Sequence, residues 1–256
     1  METSAAHRSE IDVEQFLLAT AGALLVGALY FQLPDNVVFG PHWLLLVVEA
    51  ALVAPPLFIR LSGRRISHSV ARVFSYALLA ALTLALFSSV LLLVQHLNAL
   101  HAYQILTSGV LLWVSNVLVF ASWYWEVDGD GPVKRHRSGH QAADFQFPQQ
   151  QGGNRTGWRA GFVDYLFLAF CSATALSPAD TMPLTRRAKL LMMVEAMALA
   201  SIAVVLQTRK TFHEQLVPVI GSVCPPETMC STLFSLVTWV MANAMAEFTS
   251  PMMKLT

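Results

Sequence analysis

Asp180 lies between Ser177 and Thr181, in a turn separating the apolar runs 161–176 and 187–206. A carboxylate beside two hydroxyls offers oxygen ligands to a cation, and a carboxylate within lipid-soluble sequence is costly enough to read as functional. Its structural alternative is a cap on the following helix or a place at the interface. Glu195, further along the second run, either faces a polar cavity or pairs with Arg186 or Lys189. Glu49 and Asn116 interrupt earlier apolar runs and read as structural polar groups. For Glu49 a bond to Asn116 or Tyr103 is expected ahead of a proton relay. Asp164 reads as capping or flanking the short run at the interface.

No nucleophile elbow, phosphate loop or paired-histidine zinc motif occurs, so neither a catalytic site nor an enzyme is expected. His96 and His101 have no carboxylate or cysteine nearby to complete a metal set. Cys224 and Cys230 flank two prolines at no zinc spacing, and Cys171 is isolated. The stretch from Glu126 to Gly131 begins like a calcium loop. It lacks the later ligands and the bidentate glutamate, and reads as a solvated acidic turn. No metal or cofactor is expected.

Positioning such groups falls to elements whose solvent is lipid. The 256 residues are 55% hydrophobic and 12% charged, against roughly 45–50% and 25% in soluble domains. Mean hydropathy is +0.54. Sixteen basic side chains balance sixteen acidic ones, so no basic surface for nucleic acid is indicated. About 20 apolar residues at about 1.5 Å each cross a bilayer core. Residues 16–33, 43–59 (closed by Pro55-Pro56), 73–94 and 103–125 meet that need. None alternates with period two, which excludes a β-barrel. Trp113, Trp123, Tyr124 and Trp125 read as an interfacial aromatic belt.

Charge sets the orientation. The turns 34–42 and 95–102 carry no lysine or arginine. Arg60, Arg64, Arg65 and Arg72 precede the third span, and Lys134, Arg135, Arg137, Arg155 and Arg159 follow the fourth. Both basic loops then face the cytoplasm, as does the N-terminus. Residues 126–160 form a polar linker that is either mobile or packed on the membrane face, with the aromatic patch Asp144–Pro148 as an interface anchor. From residue 207 composition shifts; 229–248 is apolar enough for a further span, and the tail reads as either a native helix or an altered reading frame.

The run 161–176 spans only about 24 Å if helical. Ser177-Pro178 stops it, and Thr185 can cap the helix that follows. Short helix, broken turn with a carboxylate, long helix is the outline of a re-entrant pore loop with its lining helix. Phe162-Val163-Asp164, Phe167, Phe170, the stretch ALSPADTMPLT from Ala175 to Thr185, Ala188-Lys189 and Glu195-Ala196 together resemble the pore segment of bacterial two-transmembrane-type potassium channels. Asp180, Pro183 and Thr185 keep that family's pattern, whereas Ser177-Pro178-Ala179 stands where its filter has Gly-Tyr-Gly. Over residues 16–206 the chain also resembles a group of uncharacterised bacterial inner-membrane proteins, which implies a bacterial plasma-membrane location.

The expectation is therefore an all-α polytopic membrane bundle in four parts. Residues 1–125 form a four-span bundle, 126–160 a cytoplasmic linker, 161–206 a pore-loop-like helix–turn–helix, and 207–256 an atypical tail. Its short helix, 161–176, either spans or re-enters. The expected role is a cation-conducting or ion-sensing, channel-like homo-oligomer in a lipid bilayer. Asp180, Ser177, Thr181 and Glu195 would contact monovalent cations. The alternative is a non-conducting scaffold or partner-binding subunit.

Overall fold

In the computed structural model, residues 18–61, 68–97, 99–154, 157–174 and 181–207 are described. Asp180, Ser177, Arg64, Arg65, Arg155 and the tail 208–256 with Cys224 and Cys230 lie outside them.

The described chain is mostly helical. Apolar runs give α1 (Leu18–Phe31), α2 (Trp43–Leu61), α3 (His68–Gln95) and α4 (Ala102–Val127). A short α5 (Pro132–Arg137) follows, then α6 (Phe162–Ala173) and α7 (Arg186–Gln207). Among the described residues, α3 and α4 are long and apolar enough to cross a membrane. The helix from Trp43 runs through Pro55-Pro56 to Leu61 rather than closing there. Proline's fixed φ is close to the helical value, so what it removes is a hydrogen bond rather than an allowed backbone conformation.

α4 is the axis of the fold and packs against α3, α6 and α7. Val119, Phe120, Ala121 and Tyr124 are fully buried there. Its tryptophans do not form the expected belt. Trp125 is buried beside Phe162 and Tyr165, and Trp123 donates to Thr83 Oγ1 at 2.8 Å across to α3. An indole with an internal hydrogen-bond partner and ring neighbours gains more from the core than from the interface. His96 and His101 serve the turn between α3 and α4. His96 Nδ1 lies 3.0 Å from Leu92 O, and the His101 N–H donates to Gln104 Oε1 at 3.0 Å.

The described linker residues fold against the end of α4. A two-stranded antiparallel ladder pairs β1 (Phe145–Gln146) with β2 (Met182–Pro183), Phe145 opposite Pro183. Phe145 and Phe147 point inward, Phe145 edge-to-face with Tyr124, and Phe147 edge-to-face with Tyr165 and tilted against Trp158, so the expected interface anchor is part of the core.

The ladder fixes the course of the chain. α6 begins beside Trp125 and approaches Trp113 with Phe170, which makes it antiparallel to α4. Its 12 residues cover about 18 Å, well short of a roughly 30 Å bilayer core. By Leu184 the chain is back at the linker, where the Leu184 N–H donates to Asp144 O at 2.8 Å. α7 starts there too, because Arg187 reaches Asp144 and Asp130. α6 and α7 therefore set out from the same end of the molecule, both antiparallel to α4.

Candidate functional site

Two polar regions lie along this α4–α6–α7 unit, and they differ in whether their hydrogen bonds are complete. The first is at the shared end of the helices. α4 leaves its last carbonyls without intrahelical partners. Arg135 answers two of the carbonyls at this end of the chain, donating from Nη1 to Trp125 O at 3.0 Å and to Asp128 O at 2.9 Å. Its guanidinium is itself buried, 4.5 Å from the Trp125 ring centre and 5.1 Å from that of Tyr165. Asp128, the residue after α4, accepts from the backbone N–H groups of Asp144 and Phe145 on Oδ1 and from the Tyr165 hydroxyl on Oδ2 at 2.5 Å.

Asp144 closes the set. Its Oδ1 accepts from Thr185 Oγ1 and from Arg187 Nε, each at 2.6 Å; its Oδ2 accepts from Arg187 Nη2 at 2.7 Å and from the Gly129 N–H at 3.0 Å. Gly129 supplies that N–H with φ of +60°, a left-handed conformation open to glycine. Thr185 also accepts the Ala188 N–H, and so caps α7. Asp130 bridges Arg72 of α3, Lys134 of α5 and Arg187 of α7. The bonded Lys134 and Arg187 hold its carboxyl well below the ordinary aspartate range, against a smaller opposing effect of burial.

The acidic turn 128–130 is thus not a solvated one. Asp128 is buried because the backbone donors of the returning linker reach it, which the local sequence does not announce. Every carboxylate oxygen of Asp128, Asp130 and Asp144 has a protein partner, so this region clamps α3, α4, α5, α6 and α7 together. Sequence reasoning missed it. The available signal was the concentration of Asp and Arg around the linker, on both sides of the apolar run that became α6.

The second region lies within the helices and is incomplete. Glu195 is 0% exposed and accepts the Tyr124 hydroxyl on Oε2. Its Oε1 has no hydrogen-bond partner among the described residues. Ser172 of α6 lies alongside both side chains, and its buried hydroxyl is likewise unpartnered. The alternative of pairing with Arg186 or Lys189 is not realised. Both of those are exposed on the first turns of α7, remote from the Tyr124 hydroxyl.

Glu49 is also fully buried, with both oxygens unpartnered among the described residues. It presses on Gly27 of α1, where an added Cβ would fall inside the envelope of its carboxylate. It does not bond Asn116 or Tyr103 as expected. Asn116 is buried with both amide atoms unpartnered among the described residues, and Tyr103 is exposed at the start of α4. Asp164 accepts the Gly161 N–H at 2.7 Å at the start of α6. Thr181 is half-buried on the returning strand, just before β2. Among the described residues, no three His, Cys, Asp or Glu side chains converge as a metal set. Comparison with known protein families, with curated proteins and with solved structures finds no match to this chain.

Proposed function

We propose that this chain is a multi-pass protein of a bacterial plasma membrane whose α6–α7 pair forms a cation-conducting or ion-sensing centre. The observation that carries the reading is the shared starting level of α6 and α7. A helix of 12 residues followed by a return to its own end enters an apolar layer without crossing it. Non-helical backbone at that depth is tolerated only where protein or water surrounds it, which favours several copies arranged about an axis. The same geometry puts Arg186, Arg187 and Lys189 on the side of the basic linker, and the excess of positive charge assigns that side to the cytoplasm. Asp180, with Ser177 and Thr181 as oxygen donors in the segment between α6 and β2, then concentrates monovalent cations.

Purified protein in liposomes tests this. Wild type is expected to pass a monovalent cation and Asp180→Asn to lose most of that flux. No flux, with the two proteins indistinguishable, removes conduction. The second reading, a non-conducting scaffold or partner-binding subunit, is favoured by Ser177-Pro178-Ala179 in place of filter glycines. Proline cannot adopt the backbone angles those glycines allow.

A further inference from the structure

We propose that Glu195, Tyr124 and Ser172 form a proton-binding site inside the bundle, at which Glu195 takes up and releases a proton. The inference deepens the reading of α6–α7 as an ion-handling pair, on which it rests. Three helices converge on the site: α4 supplies Tyr124, α6 supplies Ser172 and α7 supplies Glu195. Both Tyr124 and Glu195 are fully buried. Tyr124 already donates to Oε2, which orients the carboxyl and leaves Oε1 without a hydrogen bond among the described residues, with the Ser172 hydroxyl close to both side chains.

Among the described residues, no cation faces this carboxyl. α3 contributes Arg72, which is bound to Asp130 and Tyr76 at the polar end. α6 contributes Asp164, turned to the Gly161 N–H. α7 contributes Arg187, held by Asp144 and Asp130, and the exposed Arg186 and Lys189. Tyr124 is the titratable group that touches it from α4. A buried carboxylate with one donor and no counter-charge is unfavourable. Adding a proton to a lone pair of Oε1 removes the charge and converts an orphaned acceptor into a donor, with Ser172 Oγ as a nearby acceptor. The proton comes from hydronium and returns to water, so no other bond breaks. Because Ser172 is on the last turn of α6, the proton's arrival is felt where that helix ends.

Infrared difference spectroscopy on the full chain in lipid vesicles tests the site. Between alkaline and mildly acidic buffer, wild type minus Glu195→Gln is expected to show one carbonyl stretch of an un-ionised carboxylic acid that appears on acidification. Tyr124→Phe and Ser172→Ala are expected to keep that band and shift its frequency. A difference spectrum with no titrating carboxyl band, or a band that neither neighbour shifts, overturns the proposal. Should Glu195→Gln fail to assemble, the two neighbour variants decide the question through the band's shift. Vesicles without cation flux that still titrate this carboxyl remove conduction and keep the site. Flux without a titrating carboxyl does the reverse.

Discussion

Two buried glutamates illustrate how differently the same side chain is held. Glu195 has a tyrosine hydroxyl on one oxygen and the Ser172 hydroxyl near its carboxyl. Glu49 has neither; its carboxyl lies against the backbone of α1 at Gly27, a position where a side chain has no room. Glycine there is a matter of close helix approach rather than of backbone angle, as small residues are at membrane helix interfaces. Gly27→Ala is therefore expected to push the Glu49 carboxyl aside and lower stability by about 1 kcal/mol, as overpacking does. In a Glu49→Ala background the same substitution should cost almost nothing. Thermal unfolding of the four proteins of this cycle in detergent measures the coupling. Equal effects of Gly27→Ala in both backgrounds would show that another contact, not this carboxyl, limits the space at Gly27.

At the level of elements, α6 and α7 are tied together at their starts. Asp144 holds Thr185 and Arg187, Asp128 holds Tyr165, and β1 pairs with β2, all within the same end of the molecule. This arrangement makes a prediction about sidedness. Gln141 is exposed in the linker and Arg186 is exposed on the first turn of α7. Cysteines placed at these two positions should react with a membrane-impermeant maleimide from the same side of the bilayer. Labelling from opposite sides would mean that residues 161–176 cross the membrane completely.

The helices behind this prediction were legible as apolar runs, and Thr185 as a cap, because both signals are local. The clamp was not. Asp144 and Arg187 are far apart in the chain and meet only because the strand carrying Met182 and Pro183 returns. Hydropathy ranks Asp128 and Arg135 as surface groups, and their burial depends on backbone donors and aromatic rings supplied by other elements. The inward turn of Phe145, Phe147 and Trp125 has the same origin, since composition places aromatics near a span's end without saying which way they face. Of the expected ion contacts, Thr181 and Glu195 are placed, while Asp180 and Ser177 lie outside the described residues.

For the molecule as a whole, what covers α6 decides how the proposed centre is built. Its inner face is sealed by α4, with Phe162, Tyr165, Leu168 and Ala169 buried. The opposite face is apolar and open, Phe167 being 67% exposed and Val163 61%. α7 shows the same division, with Ala188, Glu195 and Ile202 inside and Leu190, Met193 and Met197 outside. Lipid satisfies an apolar side chain, but it cannot satisfy the carbonyls at the end of a helix that stops within the hydrocarbon layer. If α6 enters lipid, its end needs protein or water around it, and a ring of copies provides both. Phe167→Cys is then expected to cross-link to a second copy through a short bis-maleimide in native membranes, doubling the apparent mass on a denaturing gel. Leu84→Cys, on the exposed outer face of α3, is the comparison position and should remain monomeric. The wild-type chain, which carries three cysteines of its own, sets the background. A Phe167→Cys chain that stays monomeric while remaining reactive to a single maleimide would place lipid, not a neighbouring subunit, against α6 and would remove the ring from the proposed architecture.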